Sequence, residues 1–101
     1  MSPDTSAPAA PVLARPRYAR SPAPAYPLGA RRLHQQGLVL LRVEVTEDGR
    51  PAEVTIAQSC GFPVLDDAAL RAVRSWEFDP ARIGERAIAS QIEVPVRFAL
   101  D

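Results

Sequence analysis

The chain has 101 residues, which is enough for one small domain and too few for two. Its 12 basic and 12 acidic side chains balance, lysine is absent, and no run of like charge favours nucleic acid as a partner. A single cysteine excludes an intramolecular disulfide. The sequence has no stretch of about 20 apolar residues that would indicate a membrane span, and no signal-peptide pattern that would indicate export.

The N-terminal part is rich in proline, alanine, serine and arginine. Such a composition buries too little apolar surface to offset the entropy of ordering, so we predict a disordered linker or tail over residues 1–25. This part is also mildly basic: five arginines and one acid precede Leu38, and seven arginines and 11 acids follow from there. We predict a domain over residues 26–101.

A short helix is predicted at the start of this domain. Tyr26 and Pro27 indicate its first turn, because a missing amide proton costs nothing at the first helical position. We expect about nine residues, ending where Gly37 can adopt the left-handed conformation. The side chains that share its packed face are Ala30, Leu33 and His34.

Alternating apolar and polar residues predict two strands joined by a tight turn. The first covers residues 38–46, and its inward side chains are Val39, Leu41, Val43 and Val45. The Asp48-Gly49 pair is a strong hairpin signal. The chain then returns over residues 52–58, where we expect Val54 and Ile56 to be buried.

Residues 59–82 combine a corner, an amphipathic helix and an aromatic-proline stop. Apolar side chains recur every three or four positions from about Val64 to Trp76, which predicts a helix with one buried stripe. That stripe consists of Leu65, Ala69, Ala72, Val73 and Trp76. Asp66 and Asp67 lie in the first turn, where carboxylates suit the helix dipole. Proline at position 80 ends the segment.

A third strand is predicted near the C-terminus, after a loop over residues 83–86. Residues 88–100 alternate, and the inward side chains are Ile92, Val94, Val96, Phe98 and Leu100. Because proline cannot donate to a ladder, Pro95 indicates an edge strand. The order of elements predicts a two-layer α+β domain, in which two helices cover one face of a three-stranded antiparallel sheet.

Candidates for catalysis are few. His34 suits the end of a helix, and the side chains of Asp66 and Asp67 diverge by about 100° on a helix, so they cannot share a proton. Cys60 has no orienting base at a recognisable spacing. We therefore predict no enzymatic activity, no metal site and no cofactor.

Four segments taken together resemble the C-terminal domain of TonB-type energy transducers. They are YPLGARRLHQQG, GLVLLRVEVTEDGRPAEVTIAQSCG, LDDAALRAVRSWEFDPAR and IEVPVRFAL, and they span Tyr26 to Leu100. The specific features are the Tyr26-Pro27 pair, the Asp48-Gly49-Arg50 turn, the corner at residues 59–61, the helix start at residues 65–69, and Trp76, Phe78 and Pro80. The resemblance implies a fold like that of the TonB and TolA C-terminal domains.

The resemblance also implies a function. The domain would be periplasmic, and a proline-rich linker would join it to an inner-membrane anchor that this chain lacks. An ExbB/ExbD-type motor in the inner membrane would drive the transducer. Its last strand would bind the TonB box, a short peptide of outer-membrane transporters, by β-strand addition, and so power uptake of siderophores or other nutrients. The implied partner-binding residues are Tyr26, Pro27, Ile92, Glu93, Val94, Pro95, Val96, Arg97 and Phe98. The segment before Tyr26 would make auxiliary contacts.

Alternatives stay open. The same fold could be a stand-alone structural or adaptor module, resembling the TolA C-terminal domain or forming a homodimer through paired last strands. Glu93 and Pro95 could also serve to protect the edge strand from aggregation. A thiol enzyme or hydrolase that uses Cys60 and His34 is the third alternative.

Overall fold

A three-stranded antiparallel sheet organises the computed structural model, which describes residues 11–17 and 20–100. The elements are β1 (Arg15–Pro16), α1 (Leu28–Arg32), β2 (Gly37–Val45), β3 (Pro51–Gln58), α2 (Pro63–Arg74), β4 (Phe78–Asp79), β5 (Ala81–Ile83), β6 (Arg86–Ile88) and β7 (Ser90–Phe98). The order in the sheet is β3-β2-β7, so the first strand of the hairpin lies in the middle. The predicted α+β class is confirmed.

The core lies between the sheet and the helices. Alternate residues of β2 are 0 to 1% exposed, and these are Val39, Leu41, Val43 and Val45. Helix α2 contributes Leu65, Ala69 and Val73, and β7 contributes Val94, Val96 and Phe98. Because successive strand residues point to opposite faces, the helices cover one face and leave the other to solvent.

The turn between β2 and β3 is closed by hydrogen bonds around Thr46. The amide of Thr46 donates to the carbonyl oxygen of Arg50 at 2.9 Å, and its hydroxyl accepts from the Arg50 amide at 3.1 Å. Gly49 adopts φ 81°, which a residue with a side chain rarely tolerates. The Asp-Gly hairpin signal is therefore confirmed.

The end of β3 differs from the prediction. Val54 is buried as expected, but Ile56 is 40% exposed. The register with β2 shifts there: Leu40 pairs with Gln58 and Leu41 pairs with Ile56. Ile56 lies opposite buried Leu41, so alternation gives its face correctly, but it is next to a bulge on an edge strand, where the cover of this face is incomplete.

Helix α1 is five residues long, shorter than predicted. His34, rather than Gly37, takes the left-handed conformation after it, with φ 56°. Gly37 instead opens β2, and a Cβ there would lie 2.8 Å from the Cβ of Cys60. The glycine is therefore required for close packing and not for a helix stop. Leu33, predicted to pack inward, is 71% exposed because the helix ends before it.

Helix α2 begins at Pro63 and ends at Arg74. The first helical position suits Pro63, because that amide would have no partner in the helix. Trp76 follows the helix and is 9% exposed. Residues 83–86, predicted as a loop, form the turn of the β5–β6 hairpin, where Gly84 has φ 63°.

The N-terminal segment is not free in the part that the structure describes. Strand β1 pairs antiparallel with β4, and Val12 bridges to Arg82. Ala14 is 6% exposed and belongs to the core. Backbone hydrogen bonds and one small buried side chain place these residues against the domain without an apolar run, and the division at residue 26 stays a prediction. Residues 1–10, Tyr18, Ala19 and Asp101 lie outside the described residues.

Candidate functional site

The last strand, β7, has one paired side and one open side. It pairs with β2 without a register shift from Ser90, opposite Val45, to Phe98, opposite Gly37. Among the described residues, no strand pairs with its other side. The prediction that Pro95 marks an edge strand is confirmed by this order.

Pro95 also shows which backbone groups face outward. The ladder with β2 runs through Pro95 unbroken, so its nitrogen, which carries no proton, must point away from β2. Alternate residues of a strand direct their N–H and C=O groups to the same side. The amides of Gln91, Glu93 and Arg97 therefore form the donors of the open edge, with one donor missing at Pro95.

The side chains of the predicted β7 site divide between the two faces. Val94, Val96 and Phe98 are 3 to 4% exposed in the core, and Ile92 packs partly against them. The exposed face carries Glu93, Pro95 and Arg97. Glu93 forms an exposed ion pair of 3.6 Å with Arg42 on β2. A partner at this edge would therefore meet mainly backbone.

Tyr26 lies at one end of β7, whereas Pro27 lies at the start of α1. The ring of Tyr26 packs edge-to-face on Phe98, with centroids 5.3 Å apart and planes at 85°. Its hydroxyl donates to the carbonyl oxygen of Gln35. Pro27 is the residue before α1, and its carbonyl oxygen accepts from the Arg31 amide at 2.9 Å. Tyr26 thus fixes the end of β7, whereas Pro27 starts the helix.

A groove of about 430 Å³ runs beside this edge. Residues 94–97 of β7 form one wall, and Trp76 with Ser21, Ala23 and Pro24 contributes to the rest. The sequence predicts Trp76 in the core and residues 21–24 in a linker, with auxiliary contacts implied only for the segment just before Tyr26. The sequence does carry a signal for this groove, because it contains a single tryptophan and a proline-rich segment, and aromatic residues commonly bind such segments.

The corner before α2 is held by Asp66, which is 6% exposed. One carboxylate oxygen accepts from the Ser59 hydroxyl, and the other accepts from the Cys60 amide at 3.1 Å. Burial raises the pKa of Asp66, but these two hydrogen bonds outweigh it and leave the pKa below its ordinary value. Asp66 is therefore a structural carboxylate.

We expect Asp66→Asn to lower the free energy of unfolding at neutral pH by about 1 to 3 kcal/mol, because a buried charged acceptor is lost. The folded-state pKa is depressed, so this contribution is present above about pH 3.9 and is lost as pH falls through the folded pKa. Urea unfolding at neutral and acidic pH measures both effects. Asp67→Asn is the control, since Asp67 is exposed and pairs with Arg71; equal losses in the two variants would contradict the role of Asp66.

The candidate catalytic side chains do not form one site. Within residues 11–17 and 20–100, His34 is exposed and its imidazole makes no hydrogen bond or ion pair. Burial raises the pKa of Cys60, and Asp66 raises it further, so the thiol is protonated at neutral pH and a poor nucleophile. In the same residues, no three His, Cys, Asp or Glu side chains are grouped as metal ligands would be.

The fold and its open edge define a class of small α+β domains that can accept an added strand. The family model of the Gram-negative bacterial TonB protein C-terminal matches residues 22–100. The chain therefore belongs to the TonB C-terminal domain family, as its sequence motifs implied. None of the helices described here is long and apolar enough to cross a lipid bilayer.

Relatives and a solved structure agree with this assignment. The protein tonB2 of Pseudomonas aeruginosa is 43% identical over 84 residues, which cover 83% of this chain and 31% of that protein. The TonB protein of Xanthomonas campestris pv. campestris is 37% identical over 78 residues, which cover 77% of this chain and 35% of that protein. The chain thus spans about a third of these curated relatives. The solution NMR structure of the Pseudomonas aeruginosa TonB CTD matches with a TM-score of 0.70 and 26% identity, covering 87% of both chains.

Proposed function

We propose that this chain is the periplasmic domain of a TonB-type energy transducer and binds the TonB box of outer-membrane transporters by strand addition to β7. The observation that carries the proposal is the open side of β7, which has no strand partner among the described residues. Backbone hydrogen bonds along such an edge supply adhesion and depend little on side-chain identity. Membership of the TonB family supports the choice of peptide.

Each predicted site residue has a role in this proposal. The buried side chains of Val94, Val96 and Phe98 hold β7 against the core, so its outer edge is rigid. Tyr26 clamps the Phe98 end. The other site residues act through backbone or position, and they are Pro27, Ile92, Glu93, Pro95 and Arg97. Because this edge is already ordered, less conformational entropy is lost when the peptide binds.

The wider role belongs to the same proposal. An inner-membrane anchor outside this chain and an ExbB/ExbD-type motor would supply force from the proton gradient. The domain would transmit that force to the transporter and so drive uptake of siderophores or other nutrients. The domain itself performs no catalytic step and uses no cofactor in this scheme, because its role is mechanical.

An amide NMR titration with a synthetic TonB-box peptide tests the binding step. We expect the largest chemical-shift changes in β7, between Ile92 and Phe98, and weaker ones near Tyr26. A spectrum that stays unchanged while the protein remains folded would rule out TonB-box binding by this chain. In that case, the adaptor function would be favoured.

Arg97→Pro should weaken peptide binding by at least about fivefold, because the loss of one backbone donor costs about 1 kcal/mol. The fold should tolerate this change, since the Arg97 nitrogen faces outward like that of Pro95. Arg97→Thr is the matched control, because it removes the guanidinium and keeps the amide. Equal peptide affinities for the two folded variants, measured by isothermal titration calorimetry, would argue against strand addition at this edge.

A homodimer through paired β7 strands is the second candidate. Antiparallel pairing centred on Pro95 would place Glu93 of each copy opposite Arg97 of the other, and opposite charges across a strand pair are favourable. The same edge would then be occupied by a second copy. A dimer in sedimentation experiments that no TonB-box peptide dissociates would favour this candidate over the transducer.

A further inference from the structure

The N-terminal segment forms a continuous set of contacts with the chain after α2. Residues 12–17 and 20–22, here called the strap, lie antiparallel to residues 77–82. Val12 and Arg82 exchange two backbone hydrogen bonds of 2.9 Å. At the other end, the Arg17 amide donates to the Glu77 carbonyl oxygen at 2.9 Å, and the Glu77 amide donates to the Arg20 carbonyl oxygen at 3.1 Å. The strap is thus added to this edge like an extra strand.

Charge complementarity accompanies this pairing. The guanidinium of Arg17 donates to Asp79 at 2.8 Å, and Arg15 lies 3.6 Å from the same carboxylate. Arg20 lies 3.6 Å from Glu77. Three of the five arginines of the basic N-terminal part thus pair with acids of the domain. All three pairs are half-exposed, so each is weak and screened by salt.

The C-terminal end of the strap is held by the single tryptophan. The indole N–H of Trp76 donates to the carbonyl oxygen of Pro22 at 2.8 Å. The Ser21 hydroxyl donates to the Glu77 carbonyl oxygen at 3.2 Å. Prolines at positions 22 and 24 lack an amide proton, so the chain here can accept hydrogen bonds from an aromatic donor but cannot donate a ladder to β7.

The position of this end matters for the open edge of β7. Ser21, Ala23 and Pro24 line the groove opposite residues 94–97. A strand added to β7 would lie about 4.8 Å from it and would share the space beside residues 94–97 with this groove. The strap therefore restricts the space that an added strand needs.

We infer that residues 77–82 with Trp76 form a docking site for a basic, proline-containing extended segment, filled here by the strap of the same chain. Weak ion pairs, a few backbone hydrogen bonds and one small buried side chain, Ala14, hold the strap, so it detaches while the larger core between sheet and helices stays folded. Detachment removes one wall of the groove and makes the β7 edge more accessible. This last step rests on the function proposed above, whereas docking of the strap does not.

The test uses the full chain and the Trp76 indole as a reporter. NMR hydrogen exchange of the indole N–H is compared with that of the β2 amides. Both rates are measured at about 0.05 M and about 1 M NaCl, because the higher concentration shortens the Debye length to about 3 Å and weakens exposed ion pairs. Arg17→Gln should raise the detached population about two- to fivefold by removing an ion pair. Arg42→Gln is the control, because it breaks the Arg42–Glu93 pair, away from the strap.

We expect faster indole exchange in high salt and in Arg17→Gln, with unchanged protection of the β2 amides. The Kd of a TonB-box peptide should fall by the factor by which the detached population rises. Indole exchange that matches β2 exchange under all conditions would overturn a detachable strap. Faster indole exchange with an unchanged Kd would overturn the link to the groove. Faster indole exchange without peptide binding in any variant would support the strap and count against the proposed function.

Discussion

Gly49→Ala is expected to cost about 2 to 5 kcal/mol of the free energy of unfolding, a large part of the total for a domain of this size. A Cβ at this position would lie 2.1 Å from the carbonyl oxygen of Phe78. The φ of 81° adds strain of its own. The turn cannot shift easily, because the Phe78 amide donates to the Gly49 carbonyl oxygen at 2.8 Å. Urea unfolding followed by circular dichroism measures the loss.

Gly29→Ala is the matched control for this substitution. Gly29 lies in α1, and a Cβ there would meet no atom within 4 Å. Alanine should therefore raise stability by up to about 1 kcal/mol, through helix propensity. If both variants unfold within a few tenths of a molar urea of the unaltered chain, close packing of the turn against Phe78 does not matter for stability.

Trp76→Ala is expected to lower the free energy of unfolding by about 3 to 5 kcal/mol, because a large buried side chain leaves a cavity. Trp76 is 9% exposed, and its ring lies 6.4 Å from the Phe78 ring, centroid to centroid. The indole also holds the strap at Pro22. The variant should therefore lose core packing and strap docking together, as measured by thermal and urea unfolding with circular dichroism.

Trp76→Phe separates these two contributions. Phenylalanine keeps most of the buried aromatic surface and lacks the N–H, so the hydrogen bond to Pro22 should be lost at a cost of about 1 kcal/mol. A melting temperature of Trp76→Ala close to that of the unaltered chain would show that this side chain does not support the core.

Much of the fold could be predicted because strong local patterns agree with the tertiary structure. The alternation in β2 identified its buried face, since one side of this strand packs on the helices. Pro95 indicated an edge strand through the chemistry of its nitrogen alone. The Asp48-Gly49 turn likewise follows from the conformation that only glycine adopts readily.

Other features depend on contacts between distant residues and could not be predicted. Ser59 and Cys60 are linked through the carboxylate of Asp66, a set of hydrogen bonds that no periodicity reveals. Composition indicated disorder for the strap, although its side-chain hydrogen bonds join residues 54 to 62 positions apart in sequence. Its arginines gave a signal in the charge distribution, but charge alone does not say where a segment binds.

If a peptide adds to the β7 edge as proposed, the missing proton at Pro95 makes its alternative alignments unequal in energy. A uniform edge would let an added peptide shift by two residues at little cost, because every step restores the same hydrogen bonds. At Pro95 one carbonyl oxygen of the added strand finds no donor, so each shift moves that loss to a different residue of the peptide. Only an alignment that leaves this carbonyl oxygen open to water, or gives it another donor, would avoid the penalty. A single residue that interrupts the row of donors would thus select the alignment of the whole added strand.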